Sequence, residues 1–126
     1  MSGKSYLKAR LRSIWIAFDG LRQVLCTQQN ARIHAVATLV VFIAAGLFGF
    51  SGLEWAILLL VVGFVWAAEI FNTAVEDLVD FVNKENNPTA KRIKDISAGA
   101  VLVSVLVSVL VGFLLFGPKL WHWITG

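Results

Sequence analysis

The chain has 126 residues, a formal charge of +3 and 58% hydrophobic residues. With a mean hydropathy of +0.77 and 15% charged residues, against about 25% in soluble domains, it is not an ordinary water-soluble globule. Its basic residues flank apolar runs instead of forming a solvated patch with stacking aromatics, which excludes a nucleic-acid binder and points to an anionic lipid surface.

One membrane domain over 1–126 is expected, all-α, with an amphipathic interfacial helix and three transmembrane helices. The single cysteine, Cys26, has no partner for a disulfide and no metal-ligand spacing around it, and is assigned no role. Position 2 is Ser2, not glycine, and Lys8, Arg10 and Arg12 interrupt the first apolar residues, so neither myristoylation nor a cleaved signal is expected.

In chain order, Leu7, Leu11, Ile14, Phe18, Leu21 and Leu25 recur at spacings of four and three. That spacing predicts an amphipathic helix over 6–29 lying in the headgroup region, with Lys8, Arg12, Asp19 and Arg22 off the apolar stripe. Span one is expected over 33–50, uncharged from residue 35 on, and residues 51–54 form a short break. Span two runs over 55–82, and Asn83, Asn86, Asn87 and Pro88 mark a loop. Asn87 as N-cap with Pro88 at the first helical position starts the last helix, 88–116, whose apolar part is 96–116. Trp121 and Trp123 are placed as interfacial anchors.

Lys and Arg crowd the segment before span one and the loop after span two, while 51–54 has neither. The N-terminus and the 83–95 region are therefore expected in the cytoplasm, at the cytoplasmic membrane. Ala100, Ser104, Ser108 and Gly112 repeat every four residues, a small-residue ridge for close helix approach within or between subunits. Three helices enclose a polar site poorly, which favours an oligomer.

The chemistry concentrates in 69–80. On a helical wheel Glu76 and Asp80 fall within about 20° of Glu69, and Asn72 lies about 60° away. Glu69 is about 21 Å along the helix from Trp55, still at or inside a hydrocarbon core about 30 Å thick. A carboxylate in or near the bilayer is costly, about 2.5–3.5 kcal/mol for Asp at a helix centre, so it needs a partner or a wet site. Stacked carboxylates without clustered Cys or His suit Mg²⁺, and Lys94 supplies positive charge for phosphate oxygens. Those parts fit phosphoryl transfer, although no Walker A pattern or kinase glycine loop is present. Asp77 and Glu85 read as a solvated helix end. A small proton or cation relay subunit is the competing reading, and it leaves Lys94, Asp95 and the amphipathic leader without a task.

The run Glu69-Ile70-Phe71-Asn72-Thr73-Ala74-Val75-Glu76 with Asp80, then Ala90-Lys91, Lys94-Asp95 and Ala98-Gly99-Ala100-Val101, resembles the signature of the prokaryotic diacylglycerol kinase and undecaprenol kinase family. Gly20-Leu21 and Asn30-Ala31-Arg32-Ile33-His34 extend the similarity over about residues 10–116, nearer the undecaprenol kinase branch. The resemblance implies a homotrimer with composite sites between subunits, and ATP with Mg²⁺ phosphorylating a membrane lipid alcohol, undecaprenol or diacylglycerol. It further implies Glu69 as the base, Glu76 as a metal ligand, Asn72 and Lys94 at the phosphates, and Asp80 and Asp95 on the nucleotide side.

One position departs from the family pattern. Gln28 stands where the family usually has a metal-binding glutamate; it brings a carbonyl oxygen but no charge, so weaker metal binding and a catalytically weakened member are the alternative. Asp19 lies about 180° away on the helix and cannot substitute. Arg32 is open between a phosphate contact and a membrane anchor. His34 is read as a packed or interfacial histidine.

Overall fold

The computed structural model describes residues 3–126, which form α1 (Gly3–Thr27), α2 (Gln29–Leu47), α3 (Gly52–Val82) and α4 (Pro88–Thr125), with no strand among the described residues. α2, α3 and α4 are each long and apolar enough to cross a membrane. The 31 residues of α3 reach about 46 Å at 1.5 Å per residue, so this helix projects beyond a core about 30 Å thick. The fourth helix, α1, buries only Val24 and leaves Leu11, Ile14 and Phe18 open. Such an uncovered apolar stripe suits a helix resting on a bilayer.

The turn between α2 and α3 is built from two linked caps. Gly49 adopts φ 65°, and beyond it the Phe50 N–H donates to Ala45 O at 3.1 Å while the Gly49 N–H donates to Gly46 O at 3.3 Å. This is a Schellman closure, which needs the left-handed residue that glycine supplies. Immediately after, Ser51 Oγ accepts from the Glu54 N–H at 3.3 Å and Glu54 Oε2 accepts from the Ser51 N–H at 2.7 Å. Residues 51–54, expected as a break, are thus a capping box in which Ser51 is the N-cap and the rest is the first turn of α3.

An aromatic cluster fills this end of the bundle. Phe50 packs on Phe116 at 4.7 Å and on Trp55 at 6.1 Å, and Trp55 on Phe42 at 5.8 Å, over buried Ala45 and Leu58. Lys119 covers it: its Nζ lies 2.9 Å from Glu54 Oε2, donates to Gly49 O at 3.3 Å and sits 5.5 Å from the Phe50 ring centre. These contacts hold the segment beyond Pro118, and α4 runs through that proline to Thr125 instead of ending at 116. A proline forfeits one backbone donor and crowds the carbonyl four residues back; the Lys119 contacts offset that cost.

α3 and α4 form the most extensively packed pair, around Ser104, which is fully buried and donates to Val101 O at 2.7 Å. Ser108 and Gly112 of the small-residue ridge are half-buried and Ala100 is exposed. α2 is keyed to α3 by Trp66 Nε1, which donates to Thr38 Oγ1 at 3.0 Å. At the other end Asn87 Oδ1 accepts from the Thr89 and Ala90 N–H groups at 2.8 and 3.4 Å, with Pro88 in the first turn, the cap that the sequence predicts.

The Gly49 geometry gives a direct test. Gly49→Ala should lose about 1–2 kcal/mol of stability, the cost of a left-handed Cβ, and Gly49→Asn should lose less because asparagine tolerates that region. Denaturant titration of the protein in detergent reads both, and equal stability of Gly49→Ala and wild type would contradict the cap.

Candidate active site

A single seam runs down α3 at spacings of four and three: Leu58, Val62, Val65, Glu69, Asn72, Glu76. Leu58 and Val65 are buried and Val62 is half-buried, so the apolar half of this stripe is the packed face of the helix. The helix continues without a break, so the same geometry buries the polar residues of its next turns. Glu69 is 1% exposed, Asn72 7% and Thr73 4%. A sequence of uniform helical pitch therefore carries a carboxylate and an amide into an environment fixed by apolar packing.

Within the seam Asn72 Nδ2 donates to Glu76 Oε1 at 3.2 Å, and Thr73 Oγ1 donates to Glu69 O at 3.0 Å. Two buried oxygens have no hydrogen-bond partner among the described residues: Glu69 Oε2 and Asn72 Oδ1. His34 of α2 places Nε2 3.5 Å from Glu69 Oε2, at the outer limit of a hydrogen bond. Unpartnered buried oxygens are costly, and a site that must receive a hydroxyl donor or a cation is one reason for them to persist.

One turn beyond Glu76, Asp80 pairs with Lys94 of α4. These two side chains, with Asn83, Lys84, Asn87 and Lys91, line a cleft of about 520 Å³ between the end of α3 and the start of α4. That volume lies in the range of small-molecule sites. The Asp80–Lys94 pair is substantially exposed, and exposed pairs are worth about 0–1 kcal/mol, so an incoming phosphate can displace the carboxylate.

Asp95 is not brought to this face. It pairs with Lys91 at 2.5 Å on the outside of α4, because it follows Lys94 directly and so lies about 100° round the helix. Asp77 and Glu85 are exposed. Gln28 forms the single-residue joint between α1 and α2, half-buried, its side chain making no capping hydrogen bond. Arg32 is committed elsewhere: its guanidinium donates to Leu25 O at 3.0 Å and to Cys26 O, closing the C-terminus of α1. Helical periodicity does not reveal that His34 stands beside Glu69; the only signal in the sequence is a histidine in the first turns of an apolar span.

No group of three His, Cys, Asp or Glu side chains is positioned to cage a metal among the described residues. Mg²⁺ seldom needs one, since it is commonly held by one or two carboxylates plus substrate phosphates and waters. Glu76, half-buried beside Asn72, offers a carboxylate of the kind that such an ion takes.

Residues 15–116 match the family described as prokaryotic diacylglycerol kinase. Among curated proteins the chain is similar to the undecaprenol kinase of Bacillus subtilis, at 39% identity over 93% of this chain and 95% of that protein. It is also similar to the diacylglycerol kinase of Synechocystis, at 37% identity over 87% of this chain and 63% of the relative. The diacylglycerol kinase of Escherichia coli K12 matches at 27% identity over 79% and 82%. With the transmembrane helices, the buried acidic seam and these similarities together, the chain belongs to the prokaryotic diacylglycerol kinase family and is a multi-pass membrane lipid kinase.

Proposed function

We propose that the protein transfers the γ-phosphoryl group of ATP to the hydroxyl of a membrane lipid alcohol, undecaprenol or diacylglycerol, at the cytoplasmic face of the cytoplasmic membrane. The observation that carries this reading is the Glu69 carboxylate, buried in a seam leading to the Lys94 cleft. Its orientation is supported by charge: every Lys and Arg except Lys119 lies in α1, at Arg32 or between residues 84 and 94, and basic residues stay on the cytoplasmic side.

In this reading the nucleotide occupies the cleft beside Asp80, and Lys94 leaves Asp80 for the phosphates. Asn72 orients the γ-phosphoryl group, and Glu76 holds Mg²⁺ with Gln28 contributing a neutral oxygen. Magnesium, when bound, neutralises phosphate charge. Glu69 accepts the alcohol proton as the hydroxyl oxygen forms its bond to the γ-phosphorus and the bond to the bridging oxygen breaks, releasing ADP. A homotrimer fits the half-open seam: Glu76 is only half-buried in one chain, and a neighbouring subunit would cover it.

Purified protein in mixed micelles should phosphorylate undecaprenol or diacylglycerol from ATP in a Mg²⁺-dependent way. Glu69→Gln should lower kcat by at least about 100-fold, the usual contribution of a general base; wild-type turnover in that variant would remove Glu69 from the mechanism. Gln28→Glu should shift the Mg²⁺ concentration for half-maximal rate downward, since it adds a charged ligand. An unchanged Mg²⁺ titration would place Gln28 away from the metal.

A further inference from the structure

We propose that His34 is a positioning residue for Glu69, donating from Nε2–H to Oε2 so that the other carboxylate oxygen is aimed at the lipid hydroxyl. The inference rests on the reading of Glu69 as the base. Its geometric ground is independent of that reading.

Glu69 is 1% exposed, and a buried carboxylate without a hydrogen-bonding or charged partner is strongly disfavoured. The other groups of the seam cannot serve it. Asn72 gives its amide nitrogen to Glu76, Thr73 spends its hydroxyl on the Glu69 backbone, and Lys94 is paired with Asp80, about 16 Å further along α3. His34 alone among the described basic residues is placed within reach, at 3.5 Å from Oε2.

The register that presents His34 is fixed separately. Thr38, one turn after His34 on α2, accepts from the indole N–H of Trp66, one turn before Glu69 on α3. That hydrogen bond keys the two helices at the level of the pair. The imidazole also lines an apolar groove of about 320 Å³ with Thr38, Val65 and Trp66, and no other residue lining that groove is titratable. The ring has no competing charged neighbour there. A contact of 3.5 Å in the free chain shortens to a hydrogen bond on substrate arrival, as catalytic contacts commonly do.

The test is a double-mutant cycle in mixed micelles with Mg-ATP and diacylglycerol or undecaprenol. H34L should lower kcat about 10–100-fold, in the range seen when residues that orient an active group are removed, with KM for ATP changed by less than about twofold. H34Q, which keeps an N–H donor, should recover part of that loss. In an E69D background, where the shortened carboxylate has already left the imidazole, H34L should cost less than about threefold more, the non-additivity expected of coupled residues. A purely structural role would instead give additive losses and no rescue by glutamine. Should H34L fail to fold, H34A replaces it in the same cycle. Wild-type kcat in the leucine or alanine variant, or full additivity with E69D, overturns the proposal. Turnover surviving in E69Q overturns the base reading itself, so the two failures are distinct.

Discussion

A carboxylate held inside the packed seam of α3 is the constraint around which the rest of the chain is arranged. Glu69 sits on the stripe that buries Leu58 and Val65, and an acid at the centre of a membrane helix costs about 2.5–3.5 kcal/mol on insertion scales. The opposite end of the bundle offsets that cost. Four aromatic pairs among Phe42, Phe48, Phe50, Trp55 and Phe116 contribute about 0.5–1.5 kcal/mol each beyond their buried area, and Lys119 adds an ion pair and a backbone contact. These contacts anchor the apolar half of α3, and the unbroken helix carries its polar half onto the same face.

Helix length then separates the two substrates of the proposed reaction. α3 is long enough to outrun the hydrocarbon layer, so in the proposed reaction Glu69 would lie at the depth of lipid while Asp80, about 16 Å further on, would reach the water side in the cleft with Lys94. Glu76 and Asn72, joined by a hydrogen bond, occupy the interval where a phosphoryl group would cross. A soluble kinase grips its nucleotide with a glycine-rich loop; in the proposed reaction the contacts would instead be spread over different depths of α3, with Lys94 added from α4.

The helices, their membrane character and the acidic face were legible from hydropathy and pitch, because both are local properties. Asn87-Pro88 was readable as a helix start for the same reason. Ser51-x-x-Glu54 carries an equally local signature, but the glycine between its ends reads as a break unless the three-residue spacing is matched. What the sequence could not supply was the neighbour across a helix pair. His34 and Glu69 are far apart in the chain, and periodicity says which face a residue occupies without saying what stands opposite. Arg32 shows the same limit: near a bilayer it suggested phosphate or an anchor, whereas its guanidinium folds back onto the last carbonyls of α1. Lys94 and Asp95 mark the converse error, since adjacency in sequence puts them on different faces of one helix.

The joint at Gln28 ties these levels together. α1 has a single buried side chain, Val24, so tertiary packing alone does little to orient it; the Arg32 cap and the Gln28 backbone fix where it leaves α2, and a bilayer surface fixes where its apolar stripe rests. Gln28 is half-buried with its amide free of capping duty; were it to share a magnesium ion with Glu76 as proposed, its neutral amide would add no repulsion to an acidic seam. The same neutrality would give up attraction for magnesium. In the proposed reaction the chain would trade metal affinity against the electrostatic cost of its own buried acids, and α1, which ends one residue before Gln28, would be positioned by the membrane as much as by the protein.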